Sequence, residues 1–376
     1  MKVYFDNAAT TPVAPAVFEA MIPFLRDHFG NPNSMHAHGR ESRSAVERAR
    51  KVVAKLLGAA PSEIIFTSGG TESDNTAIKG AVKAYGLKHI ITTAIEHHAV
   101  LHTVEELEQE GLISCHFVKL KEHGAVDMDH LQELLKSYGT SALVTLMHGN
   151  NEVGNLLDIE KVGHLCKEHG AKFHTDAVQT VGHYPFNLQE SNIDFLAASA
   201  HKFNGPKGVG VLYIKKDQKI GPFIQGGGQE RGMRGGTENV ASIVGLAEAL
   251  SLAHHDMAQD RAHAEQLKSH MINALQQKMD GVTFNGQSGA LDQSLYGVLN
   301  VCLPSTKDAG MLLFSLDLKG ISASGGSACS AGALTGSHVL TAIGVPSDQP
   351  SIRFSFGKYN TIEEANYVIE QLMGIL

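Results

Sequence analysis

An apolar stretch, residues 193–200, leads into Lys202, and Phe203-Asn204-Gly205-Pro206 follow before a second apolar stretch, 209–214. Lysine is seldom buried without a purpose. An amine at the end of a strand, flanked by Ser199 and His201, has the surroundings of a Schiff-base nucleophile. A surface lysine on a turn is the competing reading. Cys329 is the second candidate. It lies within a run of small residues, Ser322 to Ala333. Such a segment buries little and is expected to be mobile, and a thiol on it is a candidate nucleophile. Cys115, Cys166 and Cys302 sit in apolar strand or helix patterns, where core packing is the expected role.

Further residues gain meaning beside these two. Ser68-Gly69-Gly70-Thr71 stands between a strand and a helix, where free N–H groups and the helix dipole can cradle a phosphate. It is neither a Walker A loop nor a GxGxxG fingerprint, and a plain helix cap is the alternative. Asp176 ends a short strand and can hold the protonated nitrogen of a pyridoxal ring, or simply cap the next segment. Gln179 is placed to reach the same ligand. His97 follows a strand and can stack on a flat ring, or be a polar loop residue. Arg353 stands within the apolar run 351–356, and its fork matches a carboxylate. A structural salt bridge is the other reading.

The elements that would carry these residues alternate along the chain. Helices are expected at 15–28, 40–57, 76–85, 100–109, 129–138 and Ile159–His169. Strands are expected at 63–67, 89–95, 114–120, 141–147, 172–175, 194–199 and 209–214. Strand–helix alternation implies a mostly parallel sheet covered on both faces. Ligands of such sheets bind beyond the carboxyl ends of the strands, where most of the candidates fall. A glycine-rich loop, 226–237, precedes a long helix, Val240–Lys278, that leads into a second, α+β unit. There, strands at 297–302 and 351–356 and helices at 309–316 and 362–374 are expected.

Composition narrows the class. The chain has 376 residues, 43% hydrophobic and 19% charged, with 31 basic and 39 acidic side chains. The net charge of −8 argues against nucleic acid as the main partner. No apolar run of about 18 residues is present, so no membrane span is expected, and the first residues lack a signal-peptide pattern. The four cysteines are widely spaced, which suits a reducing cytoplasm. The 21 histidines include no strong metal-binding spacing, so no metal is expected.

Taken together, the motifs resemble those of the NifS/IscS-type cysteine desulfurases, pyridoxal-phosphate enzymes of fold type I. The matching stretches run in family order over nearly the whole chain. They are Asp6-Asn7-Ala8-Ala9-Thr10-Thr11-Pro12, Gly30-Asn31-Pro32, Thr67-Ser68-Gly69-Gly70-Thr71-Glu72-Ser73, Glu96-His97 and Asn150-Asn151-Glu152-Val153-Gly154. His174-Thr175-Asp176-Ala177-Val178-Gln179, Ala200-His201-Lys202-Phe203-Asn204-Gly205-Pro206-Lys207-Gly208, Gly227-Gly228-Gln229-Glu230-Arg231-Gly232-Met233-Arg234, Gly326-Ser327-Ala328-Cys329 and Ile352-Arg353-Phe354-Ser355 complete the set.

The resemblance implies a large domain (13–258) with a mostly parallel seven-stranded sheet, and a smaller α+β domain (1–12 and 259–376). It implies pyridoxal 5'-phosphate held covalently by Lys202. Asp176 would meet the ring nitrogen, Gln179 the ring hydroxyl, and His97 would stack on the ring and carry protons. Gly70, Thr71, Ser199 and His201 would hold the phosphate, and Thr237 the phosphate of the other subunit of a homodimer. Asn151 and Arg353 would bind the carboxylate of L-cysteine. Cys329 would accept the sulfur as a persulfide, on the long catalytic loop of one class of the family. A sulfur-acceptor protein is implied. Relatives that dock an iron–sulfur scaffold often carry a longer C-terminal tail, so the scaffold itself is left open. A fold type I aminotransferase, or a selenocysteine or cysteine lyase, would share Lys202, Asp176 and Arg353. A non-catalytic scaffold with a relic cofactor site is the remaining alternative.

Overall fold

The structure is a computed structural model and describes residues 1–304, 311–325, 336–346 and 349–375. Its strands are β1 (Val3–Tyr4), β2 (Ile64–Thr67), β3 (His89–Thr92), β4 (Ser114–Phe117), β5 (Ala142–Thr145), β6 (Lys172–Asp176), β7 (Phe195–Ser199), β8 (Gly210–Ile214), β9 (Thr283–Phe284), β10 (Val298–Cys302), β11 (Ile321–Ser322) and β12 (Ser351–Ser355). Its helices are α1 (Pro15–Arg26), α2 (Ala37–Leu56), α3 (Gly70–Tyr85), α4 (His98–Gln109), α5 (Met128–Tyr138), α6 (Ile159–His169), α7 (Val240–Lys278), α8 (Leu312–Leu318), α9 (His338–Ala342) and α10 (Ile362–Ile375).

Seven strands form one sheet in the order β2-β8-β7-β6-β5-β3-β4. β3 to β7 pair in parallel, while β8 runs antiparallel to both β7 and β2. β2 therefore points the same way as β7, and all strands but β8 open their carboxyl ends on one edge. This is the mostly parallel α/β sheet expected from the alternation. Side chains alternate between its faces. Ile64, Phe66, Ile91, Val144 and Leu196 join the core with α1, α2, α5, α6 and the first part of α7. Ile65, Ile90, Leu143, Phe195 and Leu212 join the core with α3 and α4 on the opposite face. Both faces are thus buried, which is why these strands read as unbroken apolar runs rather than as alternations.

A separate core gathers β1, β10, β12, α8, α10 and the second part of α7. There β12, β10 and β9 form an antiparallel sheet, and β1 pairs in parallel with β11. α7 spans 39 residues and contributes Ile243 and Leu246 to the first core and Leu267 and Met271 to the last.

Several boundaries differ from expectation. α3 begins at Gly70, six residues before the expected 76. Ser73, Asp74 and Thr76 read as cap or turn formers, yet they are buried side chains within this helix. Ser73 is tolerated there because its hydroxyl bonds the Gly69 and Val211 carbonyls. α3 then stops at Gly86, whose φ of 62° suits a residue without a Cβ. The strands β3 to β5 are shorter than the apolar runs that announced them. β1, β9 and β11 were not anticipated, being two residues each. Nor was α9. The helix expected at 309–316 is found as α8, with 309 and 310 outside the described residues.

Candidate active site

The carboxyl edge of the sheet carries a cleft with about 810 Å³ of empty space. Gly70, Thr71, His97, Asn151, Asp176, Gln179, Ser199, His201, Lys202 and Arg353 all line it. All but Arg353, which comes from β12 of the smaller sheet, lie at, or on segments that follow, the carboxyl ends of the sheet's strands. β7 ends at Ser199 and passes into a helical turn, Ala200–Lys202. β6 ends at Asp176, and Gln179 lies in the turn after it. β2 leads through Ser68-Gly69 into α3, so Gly70 and Thr71 form the first residues of that helix. His97 caps α4, its Nδ1 accepting the Ala99 N–H at 3.1 Å.

The phosphate-cradle expectation meets a favourable geometry. The earlier start of α3 puts its unpaired N–H groups and positive dipole end at Gly70 and Thr71. A Cβ on Gly70 would fall 2.5 Å from Val178 Cγ2. Glycine is thus required for the helix start to approach the Asp176–Gln179 turn so closely.

Lys202 Nζ donates to the carbonyls of Ala8 (2.6 Å) and Ala9 (2.9 Å). Gln179 Nε2 donates to the Ala8 carbonyl as well, at 3.0 Å. The small residues of the Asp6–Pro12 turn therefore form one wall, and they are small because lysine and glutamine must reach their backbone. His201 pairs its Nδ1 with Thr10 Oγ1 at 3.1 Å. Burial, with Lys202 and Lys207 near by, pushes the His201 imidazole down to about 4, so this ring is neutral at pH 7.

Asp176 is buried, and its Oδ1 accepts the Val178 N–H at 2.9 Å. Burial pushes its carboxyl up, opposed by His97, the Val178 N–H and Lys202. Burial likewise pushes the His97 imidazole down, with Asp176 opposing. A buried carboxylate of this kind calls for a cationic partner, and a protonated ring nitrogen would supply one. Together with the helix start and the amine of Lys202, this donor set fits a flat, phosphate-bearing carbonyl cofactor.

Arg353 lies on β12, about 1% exposed. Its Nη2 pairs with Asp6 Oδ1 at 2.7 Å, its Nη1 donates to the Asn151 carbonyl at 2.8 Å, and Nε has no partner among the described residues. The structural salt bridge is therefore present, and the side chain lines the cleft at the same time. Thr237 is exposed and does not line this cleft. Cys329 lies outside the described residues. Of the other cysteines, Cys166 and Cys302 are buried as expected, whereas Cys115 on edge strand β4 is only half-buried.

Some contributors were not anticipated. Asp74 lines the cleft from the buried face of α3, with Oδ1 3.4 Å from His174 Nε2. Burial raises the Asp74 carboxyl well above the usual range, with Asp176 and Glu96 adding to the effect. Burial also pushes His174 down to about 3. The available signal was a polar run too deep inside a helix to be a cap. Met147 also lines the cleft and escaped notice, as did Asp6 as the ion-pair partner of Arg353. Among the described residues, no cluster of His, Cys, Asp and Glu could hold a metal ion, and no helix is long and apolar enough to cross a membrane.

Comparison with known proteins agrees with this geometry. The family model described as aminotransferase class-V matches residues 3–368. A cysteine desulfurase IscS of Dictyoglomus turgidum is 46% identical over all of this chain and 94% of its own length. A solved NifS-like protein superposes with a TM-score of 0.91 at 40% identity, covering 100% of this chain and 99% of that one. A solved SspA in complex with cysteine gives 0.83 at 35% identity, covering 96% and 100%. On this sheet, this cleft and these matches, the chain belongs to the class-V aminotransferase family, in its NifS/IscS-type cysteine desulfurase branch of fold type I.

Proposed function

We propose that this protein is a pyridoxal 5'-phosphate-dependent cysteine desulfurase that converts L-cysteine to L-alanine and passes the sulfur to Cys329. The observation that carries the reading is the single cleft in which Lys202, Asp176, Gln179, His97, the α3 start and Arg353 converge. Lys202 would hold the cofactor covalently, and its amine would be the base that takes the Cα proton of the substrate. Asp176 would keep the cofactor's ring nitrogen protonated, Gln179 would meet its ring hydroxyl, and His97 would stack on the ring. Gly70, Thr71, Ser199 and His201 would hold its phosphate. When bound, the cofactor supplies an electron sink for the charge left at Cα.

Asn151 and Arg353 orient the substrate carboxylate. The Cys329 thiolate attacks the substrate sulfur. An S–S bond forms on Cys329 as the substrate Cβ–S bond breaks, and L-alanine leaves. His97, whose imidazole burial pushes down against the pull of Asp176, carries protons in these steps. Thr237, exposed on the glycine-rich loop, serves the phosphate site of a second copy, so the active enzyme is a homodimer. The persulfide sulfur goes on to an acceptor protein.

Purified protein given L-cysteine and a reductant is expected to release sulfide and alanine in equal amounts, and Lys202→Ala to release neither and to lose the cofactor's near-visible absorbance. A keto acid as the product would replace this reading with an aminotransferase. A wild type that never binds the cofactor would end it.

A further inference from the structure

A second cavity, with about 620 Å³ of empty space, shares Ala8, Gln179 and Lys202 with the cleft and adds His183 and Tyr296 to its walls. Beside it the backbone of the Lys202 turn is pinned group by group. The His201 carbonyl accepts the Thr11 N–H at 2.9 Å and the Thr11 hydroxyl at 2.8 Å. The Asn204 N–H donates to Thr11 Oγ1 at 2.8 Å. Between these two, the Lys202 carbonyl stands 3.0 Å from His183 Nε2. A carbonyl can only accept, so this contact assigns the ring proton of His183 to Nε2. Nδ1 is then an acceptor, and the Tyr296 hydroxyl lies 3.0 Å from it. Burial pushes the His183 imidazole down from its ordinary value, with the Lys202 carbonyl opposing, so the ring is neutral at pH 7.

The chain is built to let this contact form. Gly182 has a φ of 84°, and a Cβ on it would fall 2.6 Å from the Cβ of Phe203, so only glycine brings His183 this close to the Lys202 turn. Tyr296 belongs to the core of the smaller unit, just before β10, which pairs with the β12 strand of Arg353. Neither His183 nor Tyr296 lines the cofactor cleft. We propose, resting on the reading of Lys202 as cofactor anchor and base, that His183 is a positioning residue for Lys202 and that Tyr296 holds His183 in the tautomer this requires. With the carbonyl fixed, the freedom of residue 202 is confined to its side chain, and the amine moves from a fixed root toward the substrate Cα. Reaction at a bound centre falls steeply when a reacting group is misplaced, so a loosened root costs rate in the proton transfer rather than in binding.

The test uses the cofactor-loaded enzyme as wild type, His183→Ala, His183→Gln and Tyr296→Phe. Loss of the Cα label from Cα-deuterated L-cysteine is followed by rapid quench within one turnover, beside the KM for L-cysteine and the cofactor absorbance. His183→Ala is expected to slow label loss about fivefold, the worth of one hydrogen bond, with KM and absorbance nearly unchanged. Glutamine can place an amide N–H where Nε2–H stood, so His183→Gln is expected to recover most of the rate. Tyr296→Phe is expected to slow label loss by less than His183→Ala. An alanine variant that loses the label at the wild-type rate overturns the inference alone, because the wild type in the same experiment still shows Lys202 at work. A glutamine variant as slow as alanine overturns it too, since the hydrogen bond is then not what matters. So does a loss of cofactor absorbance in step with the rate, which would mark a site disturbed as a whole. A wild type that loses no label overturns the reading of Lys202 as the base, and this inference with it.

Discussion

Glu230 offers a stringent test of how the glycine-rich loop is held. It sits in the 226–237 loop at a φ of 47°, strained for a residue with a Cβ. Its carboxylate is nonetheless buried, with side-chain exposure of 2% against 3% for Arg50. Three hydrogen bonds converge on it: Arg50 Nη1 at 2.7 Å and Nη2 at 2.9 Å, and the Phe66 N–H of β2 at 2.9 Å. Arg50 also donates to the Ile64 carbonyl and lies 4.8 Å from the Phe66 ring centroid. Replacing Glu230 by Gln keeps the shape but leaves the buried guanidinium with only the more exposed Glu47, 3.0 Å from its Nε, as counter-charge. Removing one partner of such a pair costs about 3–5 kcal/mol. With a urea slope of about 1–3 kcal/mol per M or somewhat more for a chain of this size, the midpoint should fall by about 1 M or more. Circular dichroism across a urea series reads this directly. The double variant Arg50→Met with Glu230→Leu, which removes both charges, should recover much of the loss. A Glu230→Gln midpoint within the equivalent of about 1 kcal/mol of wild type, or a double variant as unstable as the two singles summed, would refute the reasoning.

Gly70→Ala should loosen the cofactor about tenfold, because its Cβ would crowd Val178 Cγ2 at 2.5 Å and push the helix start off the Asp176 turn. Equilibrium dialysis measures this, and Val178→Ala in the same chain should restore binding if the clash is the cause. Lys268 is buried, donating to Ser294 Oγ at 2.7 Å and the Leu295 carbonyl at 2.9 Å, and burial pushes its amine down to about 7. Between that value and the ordinary 10.5 the unfolded chain binds the extra proton, so stability must rise with pH there, by up to about 1.4 kcal/mol per unit. Lys268→Met should remove that slope in midpoints taken at successive pH values, and an unchanged slope would contradict the burial of the amine. His174, pushed down to about 3 by burial, works on the acid side. The unfolded ring gains its proton below 6.5, so stability falls as pH drops from there toward 3, and His174→Gln should flatten that limb of an acid titration.

What could be read from the chain, and what could not, follows from the range of the interactions. Lys202, Asp176 and His97 were legible because each stands where an apolar run ends, and a strand end is a local signal. The cradle was legible as a strand, two glycines and a helix, although the helix was placed to start at 76 and starts at Gly70. Ser73 and Asp74 misled because their helix-start chemistry is the same whether they cap a helix or line its buried face. Arg353 was legible as a cation in an apolar strand. Its partner Asp6 was not, since the two lie 347 positions apart and nothing local pairs them. Ser337 donates to Glu152 across 185 positions, a contact hidden for the same reason. Cys115 looked like a core residue because β4 reads as apolar, yet β4 is the edge of the sheet, with one neighbour only.

The measurement that bears most directly on the function is mass spectrometry of the peptides after one turnover with L-cysteine. The site in the cleft can activate an amino acid at Cα in any of several reactions, and the fate of the sulfur separates them. The mass of one added sulfur is expected on the peptide containing Cys329, the persulfide step of thiol chemistry. Cys329→Ser should keep the cofactor absorbance and lose nearly all sulfide release, a hydroxyl being a far weaker nucleophile than a thiolate. Added sulfur on Cys115, Cys166 or Cys302 instead, or wild-type sulfide release from Cys329→Ser, would contradict the assignment of Cys329 while leaving the cofactor site standing.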